Sequence, residues 1–427
     1  MYVMLLEFSC ANFRSINRKC TISLEGQGIA DEPKTNFVLL DKKVKVLKTV
    51  ALYGANSSGK SNVVRAFAVM MKHIRDSVRL NDNDKLHYDP FRLSSVRGKP
   101  TFFEVRFTDD EKAYRYGFEF DSELIYGEWL YRSSIGGRTE KALFIRTKEG
   151  IGVDEKFFSE GMGKEENTND NRLFLSLCAQ LGGKLSRQII NKFSYMNVIS
   201  GIYDQGYTDY SKNMLHRHLA GFDEAVSFFR DMHLGFDEIE TVEKEFDDSM
   251  LPPDMPNVVK AEVFKAMRGR RDVNLYSCHK IYDKRGKVTG KISFDIDEES
   301  EGTKKLIRLS GPIFETLVNG RVLWVDELDA KMHPLISQYV VELFNNPDTN
   351  PHNAQLIFTT HDTHLLSSKL LRRDQIWFTE KDAKEQTDLY NMMDIELPDG
   401  SKPRADSNFE RNYIAGRYGA IPYILND

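Results

Sequence analysis

Cysteine is scarce in this chain of 427 residues, and the few cysteines follow no recognised spacing. The four stand far apart without a C-x-x-C pair, which excludes a zinc ribbon and a disulfide framework and favours a reducing compartment. They are Cys10, Cys20, Cys178 and Cys278.

Long hydrophobic runs are also missing. No run approaches the roughly 18 apolar residues of a membrane-spanning helix. The first residues lack the basic segment and the cleavage site of an export signal. We therefore expect a cytoplasmic protein with no membrane partner.

A large excess of positive charge is absent as well. The formal net charge of −5, with 29% charged and 41% hydrophobic residues, is typical of a globular protein and excludes a basic nucleic-acid coat. Contact with DNA or RNA would therefore be local. The candidate cluster is Arg268, Arg270 and Arg271, but the acidic stretch before it favours a solvated or intersubunit face.

The clearest motif present is a complete G-x-x-x-x-G-K-[ST] loop between an apolar run and a helical pattern. Its glycines allow the backbone N–H groups to converge on phosphate oxygens, and Lys60 would neutralise the phosphate charge while Ser61 binds Mg²⁺. The sequence therefore predicts a nucleoside triphosphate site. Its residues are Gly54, Ala55, Asn56, Ser57, Ser58, Gly59, Lys60 and Ser61.

A second motif is the apolar segment from Arg321 that ends in two carboxylates, Asp326 and Glu327. A strand that carries Asp at its carboxyl end beside a phosphate loop is typical of a Walker B motif, in which the carboxylate holds Mg²⁺. Glu327, one residue further, is in the position of a general base for water. The pair thus predicts hydrolysis as well as binding.

A third apolar segment, Ala354 to Thr360, leads to His361. A histidine at a strand end can hydrogen-bond a γ-phosphate and respond to its loss. The alternative is a turn in which the Thr-His-Asp cluster only caps the local backbone.

The remaining chain predicts an α/β protein with inserted parts. Residues 3–24 alternate as two strands of a hairpin, residues 101–146 predict a β-meander, and residues 173–264 are largely helical in pattern. We predict four segments: an ATPase head with the phosphate loop (1–80), a β-rich lobe (81–160), a helical insertion (161–272) and the rest of the head (273–427).

Together the motifs resemble ABC-type ATPases of the AAA class, in the branch that includes SMC-like clamps and the overcoming-lysogenization-defect (OLD) and RloA-like ATPases. The resemblance extends over nearly the whole chain. It is carried by Asn12-Phe13-Arg14-Ser15, the phosphate loop, Glu299-Ser300-Glu301-Gly302-Thr303, Asp326-Glu327, His361 and Gly416-Arg-Tyr-Gly-Ala420.

This resemblance implies an ABC-like head fold that binds ATP and Mg²⁺, with two copies joined head to tail around the nucleotide. Ser300 and Gly302 would contact the γ-phosphate held by the partner's loop. Arg14 and Asn62 would join the nucleotide site. The segment Ser-Glu-Gly-Thr replaces the usual Ser-Gly-Gly-Gln, so Glu301 and Thr303 have no assigned role.

The glutamine of a Q-loop is not evident after the first helix. Asp89-Pro90-Phe91 occupies that region of the sequence, and His87 or Asp89 would take the place of the glutamine.

Three functions are compatible with these features. The first is an ATPase that forms a homodimer or larger oligomer and regulates a separately encoded effector, a nuclease or toxin, in bacterial anti-phage defence. The second is an SMC-like DNA-repair clamp, although the sequence lacks sustained heptads. The third is the nucleotide-binding subunit of a transporter, which the variant signature disfavours.

Overall fold

The computed structural model describes residues 3–29, 33–41, 44–95, 98–109, 112–236, 238–246, 251, 255–267, 269, 271–397 and 400–422. The chain forms two compact units. The first is Met1–Ile202 with Asn319–Asp427, and the second is Tyr203–Val318.

The first unit contains most of the strands. Up to residue 202 its elements are β1 (Val3–Ala11), β2 (Cys20–Ser23), β3 (Phe37–Leu40), β4 (Val44–Leu47), β5 (Thr49–Tyr53), α1 (Lys60–Asp76), β6 (Thr101–Asp109), β7 (Lys112–Phe120), β8 (Ile125–Ser134), β9 (Lys141–Thr147), β10 (Gly150–Val153), α2 (Phe174–Gln180), α3 (Lys184–Phe193) and β11 (Met196–Ser200).

The second unit supplies the next elements, and the chain then returns to the first unit. The second unit holds α4 (Gln205–Arg217), α5 (Phe222–Asp231), β12 (Glu238–Glu245), α6 (Asn257–Met267), β13 (Arg271–Tyr282), β14 (Val288–Asp295) and α7 (Glu301–Asn319). The returning elements are β15 (Val322–Asp326), α8 (Pro334–Asn345), β16 (Gln355–Thr359), β17 (Ile376–Lys381), β18 (Thr387–Asn391) and α9 (Phe409–Ile414).

A six-stranded sheet forms the centre of the first unit, in the order β11-β15-β16-β5-β17-β18. All neighbours are parallel except β17 and β18. Parallel strands covered on both faces are continuous apolar runs, and every residue of β5 and β16 is buried. The carboxyl ends of β5, β15 and β16 therefore meet at one edge of the sheet.

A seven-stranded antiparallel sheet lies in the same unit, in the order β10-β9-β8-β7-β6-β1-β2. The first helix joins the two sheets through three aromatic rings. Phe67 of α1 stacks on Trp324 of β15 at 4.6 Å between centroids and meets Phe8 of β1 edge-on at 5.1 Å. This contact fixes the helix that follows the phosphate loop against both sheets.

The structure confirms the predicted hairpin as β1 and β2, and the predicted meander as β6 to β9. The helical prediction for residues 173–264 is wrong in two places. Met196–Ser200 is a strand that pairs with β15, and Glu238–Glu245 is a strand that pairs with β13. A short apolar run followed by Gly201 does not distinguish a buried strand from a helix.

The four-segment domain division stays a prediction. Arg268 and Arg270 lie outside the described residues, and Arg271 forms an ion pair with Glu243 at 3.1 Å. Among the described residues, no helix combines the length and the hydropathy needed to cross a bilayer.

A buried carboxylate ties the antiparallel sheet to α2. Glu128 is 0% exposed and accepts hydrogen bonds from the N–H of Phe174 (2.6 Å), the N–H of Leu175 (3.0 Å) and the hydroxyl of Tyr116 (2.9 Å). Burial raises the pKa of Glu128, an effect that nearby Arg146 opposes. The carboxylate thus binds N–H groups at the beginning of α2 that would otherwise lack partners.

We expect Glu128→Ala to lower the free energy of unfolding by about 3 kcal/mol, because it leaves buried donors without a partner. A urea titration followed by circular dichroism measures the change. The matched control is Glu155→Ala, at an exposed position, which should have little effect. Equal urea midpoints for the two variants would contradict this role of Glu128.

Candidate functional site

The phosphate loop follows β5 and has a backbone that only glycine accommodates at two positions. Gly54 has φ 155° and Gly59 has φ 115°. A Cβ atom at Gly54 would lie 2.5 Å from the carbonyl oxygen of Thr379, and one at Gly59 would overlap the side chain of Thr387. At these two glycines the loop is therefore packed against β17 and β18 and has no room for a larger residue.

Hydroxyl groups hold this loop in place. Ser58 shares a hydrogen bond with Thr379 at 2.6 Å, and the Thr387 hydroxyl donates to the Ser58 carbonyl at 2.9 Å. Asn56 and Ser57 are exposed and Ala55 is half-buried, so the outer part of the loop is accessible. Sequence reasoning missed both threonines, since nothing in the motif points to residues so far along the chain.

Lys60 lies buried beneath the loop, with 5% of its surface exposed. Its Nζ donates to the carbonyl oxygens of Gly54 at 2.6 Å and Ala55 at 3.2 Å. Burial lowers the pKa of Lys60 to about 8, and the charges of Glu327 and Asp326 partly oppose this effect. The ammonium group is thus adjacent to both the loop and the carboxylates at the end of β15.

Asp326 connects three elements at the strand ends. Its Oδ1 accepts hydrogen bonds from the Ser61 hydroxyl at 3.0 Å and from the Thr359 hydroxyl at 2.8 Å. A carboxylate and a hydroxyl are hard oxygen ligands of the kind that Mg²⁺ prefers. The donor set of Ser61 and Asp326 therefore fits this ion.

Glu327 has a left-handed backbone conformation, with φ 58°. Its N–H donates to the Thr359 hydroxyl at 2.7 Å, and Gly201 donates its N–H to the Asp326 carbonyl at 2.6 Å. A Cβ atom at Gly201 would overlap the carbonyl group of Glu327. Gly201, which sequence reasoning missed, therefore lets the chain hold Glu327 in a strained conformation next to the site.

His361 follows β16 and is exposed at the same edge of the sheet. Its N–H points to the Asp329 carboxylate, with distances of 3.3 and 3.4 Å to the two oxygens. Desolvation lowers the pKa of His361 and the charge of Lys60 lowers it further, whereas the charges of Asp329 and Glu327 oppose the shift. A lower pKa favours the neutral imidazole, which can accept as well as donate a hydrogen bond.

A cavity of about 410 Å³ lies beside the first turn of α1 and includes two predicted nucleotide contacts, Arg14 and Asn62. Asn62 donates to the Ser15 hydroxyl at 2.7 Å. Arg14 forms an ion pair with Asp89 at 2.8 Å. Asp89 lines the same cavity, so this ion pair belongs to its wall.

His87 contacts His73 through its carbonyl oxygen and is not among the residues that line this cavity.

Ser300 lies in the second unit, at the beginning of α7. Its hydroxyl accepts the Thr303 N–H at 3.1 Å and shares a hydrogen bond with the Thr303 hydroxyl at 2.9 Å, which makes Ser300 the N-cap. Glu301 forms an ion pair with Lys304 at 2.7 Å. These contacts give Thr303 and Glu301 a structural role that the motif alone did not reveal.

The carboxyl-terminal Gly-Arg-Tyr-Gly-Ala segment belongs to a cluster beside β5. Tyr413 of α9 stacks on Phe378 at 5.6 Å and meets Tyr53, the last residue of β5, at 5.8 Å. The Tyr413 hydroxyl donates to the Ala420 carbonyl at 3.0 Å. The segment therefore supports the strand that leads into the phosphate loop.

The phosphate loop, the strand-end carboxylates and the parallel sheet between them define a P-loop ATPase. The chain belongs to the family described as "AAA domain, putative AbiEii toxin, Type IV TA system". The match covers more than half of the chain, at residues 50–150 and 213–367. Membership in the AAA class is thus confirmed, and so is the predicted α/β P-loop fold. The OLD and RloA-like branch stays a prediction.

Solved structures with related architecture include the Smc head bound to the C-winged helix domain of ScpA (12% identity, 91% of this chain and 98% of that chain, TM-score 0.40). Another is the recombination mediator RecF with ATP (12% identity, 91% of this chain and 98% of that chain, TM-score 0.34). A third is the Smc head domain with a coiled coil and joint from Pyrococcus yayanosii (12% identity, 91% of this chain and 97% of that chain, TM-score 0.37).

Similarity at TM-scores below 0.5 supports no inference about the function of this chain. No curated protein matches it.

Proposed function

We propose that this protein is a Mg²⁺-dependent ATPase whose nucleotide site is completed by a second copy. The observation that carries the proposal is the meeting of Lys60, Ser61, Asp326, Glu327 and His361 at the carboxyl ends of β5, β15 and β16. Three strand ends thus bring a cation, two carboxylates and an imidazole to one place.

Each residue has a defined part in this proposal. The loop N–H groups and Lys60 bind the phosphates, and Ser61 and Asp326 hold the metal ion. Mg²⁺, when bound, supplies charge neutralisation and orientation at the β- and γ-phosphates. Glu327 accepts the proton of the attacking water, and His361 hydrogen-bonds the γ-phosphate.

The nucleoside would occupy the cavity beside α1. Arg14 and Asn62 line it, and the planar guanidinium of Arg14 is held by Asp89. A guanidinium fixed in this way can stack on a purine ring. ATP therefore extends from this cavity into the phosphate loop.

The partner copy would contribute Ser300 and Gly302. Ser300 is exposed at the N-terminus of a 19-residue helix, where backbone N–H groups and the helix dipole attract an anion. These groups would contact the γ-phosphate held by the loop of the other copy. Hydrolysis then depends on a homodimer or a larger homo-oligomer.

We expect Glu327→Gln to lower the rate of ATP hydrolysis at least 100-fold, because the amide cannot accept the proton of water. Binding of ATP with Mg²⁺ should persist, since Lys60 and Ser61 are unchanged. Phosphate release and fluorescent-nucleotide titrations measure the two properties. The control is Glu342→Gln, at an exposed position of α8; unchanged turnover in Glu327→Gln would exclude the general-base role.

Mixing two inactive variants tests the shared site. Glu327→Gln disables the loop side, and Ser300→Arg disables the signature side, so each should be inactive alone. In a mixed dimer, the intact loop of the Ser300→Arg copy faces the intact Ser300 of the other copy, and turnover should return in part. Ser159→Arg, exposed and distant in sequence, is the control.

The head-to-tail model fails if Ser300→Arg hydrolyses ATP normally, or if the mixture of the two inactive variants stays inactive while Ser159→Arg is active.

The biological role that we propose is a cytoplasmic sensor in anti-phage defence that regulates a separately encoded effector, a nuclease or toxin. The support is the family description, which names a putative toxin of a type IV TA system, and the resemblance to RloA-like ATPases. An SMC-like clamp needs long coiled-coil arms. The longest helix among the described residues is α7, with 19 residues, which favours the sensor.

A phage-plating assay checks this role. Cells that carry this gene with the adjacent reading frame should plate phage about 100-fold less efficiently than cells with an empty vector. Glu327→Gln should abolish protection because the effector is no longer controlled by hydrolysis, whereas Glu342→Gln should protect. Equal plating on protected and empty cells across a phage panel would contradict the defence role.

A further inference from the structure

The second unit carries a basic hairpin that the ATPase site does not use. We name the basic hairpin as residues 280–291, the end of β13, the turn and the beginning of β14. Every residue from 280 to 289 is exposed. In a chain of net charge −5, this segment contains a single acidic residue, Asp283, and its cations are Lys280, Lys284, Arg285, Lys287 and Lys291.

The tip of the basic hairpin carries three cations and one carboxylate. The Asp283 carboxylate accepts the backbone N–H groups of Arg285 at 2.8 Å and Lys287 at 2.9 Å, so it stabilises the turn. Within the described part of the chain, the side chains of Lys284, Arg285 and Lys287 form no ion pair. Three adjacent, unpaired cations at a protruding tip attract a polyanion.

An aromatic and cationic cavity adjoins the tip. It has a volume of about 510 Å³, within the usual range for a small-molecule site, and Tyr282, at the base of the turn, forms part of its wall. Its lining residues are Arg230, His233, Gly235, Phe236, His279, Lys280 and Tyr282.

Three rings make this cavity suitable for a base. Tyr282 is 59% exposed, and Phe236 meets His279 edge-on at 6.1 Å between centroids. An exposed aromatic ring beside unpaired cations is the combination by which proteins bind single-stranded nucleic acid, with bases stacked on rings and phosphates on cations. An acidic protein surface would use the cations but would gain nothing specific from the tyrosine ring.

We propose that the basic hairpin and its cavity form a binding site for single-stranded nucleic acid. A base stacks on Tyr282 at the mouth of the cavity, and Lys284, Arg285 and Lys287 contact the following phosphates. Arg230 also lines the cavity. Its guanidinium contacts the phosphate of the stacked nucleotide.

The cavity also contacts the segment that precedes the signature helix. His279 Nε2 lies 2.9 Å from Glu299 Oε1, which also accepts the Ser277 hydroxyl at 2.6 Å. Glu299 directly precedes Ser300, the N-cap of α7. A strand bound in the cavity therefore acts on the residues next to the proposed γ-phosphate contact.

The test uses the full-length protein and a fluorescein-labelled 20-nucleotide poly(dT) or poly(U) strand in an anisotropy titration at several salt concentrations. The triple variant Lys284→Gln, Arg285→Gln, Lys287→Gln should bind at least tenfold more weakly. Its slope of log affinity against log salt should fall by about 2, since each lost phosphate contact removes about 0.7. Tyr282→Ala should lower affinity about tenfold, and Tyr282→Phe should not.

A matched control removes the same charge elsewhere. Lys34→Gln, Arg138→Gln, Lys184→Gln changes three exposed cations of the first unit and should leave affinity within about twofold. All variants should retain fluorescent-nucleotide binding at the phosphate loop, which shows that they are folded. This readout also separates failure of the hairpin proposal from failure of the ATPase proposal.

Several results would overturn the proposal. These are no binding of either strand by the wild-type protein, an equal loss in the control triple variant, and tighter binding of a 20-base-pair duplex with no effect of Tyr282→Ala. Competition by poly-L-glutamate as strong as by the single strand, again with no effect of Tyr282→Ala, would assign the hairpin to an acidic protein partner.

Discussion

The candidate site depends on one carboxylate oxygen. Asp326 Oδ1 accepts hydroxyl hydrogen bonds from Ser61 on α1 and from Thr359 on β16, while Asp326 itself ends β15. Thr359 also accepts the N–H of Glu327, so the same threonine positions both acidic residues. The helix after the phosphate loop is thus joined to the two strands that carry the other functional groups.

Rigid surroundings maintain this arrangement. The loop glycines are packed against Thr379 and Thr387, and Gly201 is packed against the backbone of Glu327. Glu327 keeps a left-handed conformation that costs free energy, and it does so next to a parallel sheet in which strands β5 and β16 are fully buried. A strained residue persists where its neighbours leave no alternative, and this condition is met at the proposed general base.

Much of the site could be predicted because its motifs are contiguous in sequence. The loop from Gly54 to Ser61 and the Asp326-Glu327 pair each follow an apolar strand. In a chain that contains a phosphate loop, a carboxylate pair at a strand end is specific for a Walker B motif. The strands of the meander were predictable from their alternation, since one face of each is buried.

The parts that could not be predicted depend on contacts between distant residues. Thr387 encloses Gly59 across more than 300 positions, and no local pattern identifies such a pair. The apolar run of β11 is too short for its periodicity to distinguish a buried strand from the end of a helix, and its pairing with β15 makes it a strand. The role of Thr303 likewise requires the N-cap geometry of Ser300.

The proposed nucleotide-binding groups and the proposed nucleic-acid site belong to different units of the chain. The phosphate loop, both carboxylates and His361 belong to the first unit, whereas Ser300 and the basic hairpin belong to the second. All the residues that line the cavity of the basic hairpin belong to the second unit, and Glu299 joins this cavity to Ser300. A ligand shifts an equilibrium only by its difference in affinity between two states. In the proposed dimer, a nucleic acid strand would favour the closed state by binding it more tightly, and this segment joins the strand to Ser300. The Glu299 carboxylate, held by Ser277 and His279, is therefore the group through which a nucleic acid signal would reach the ATPase.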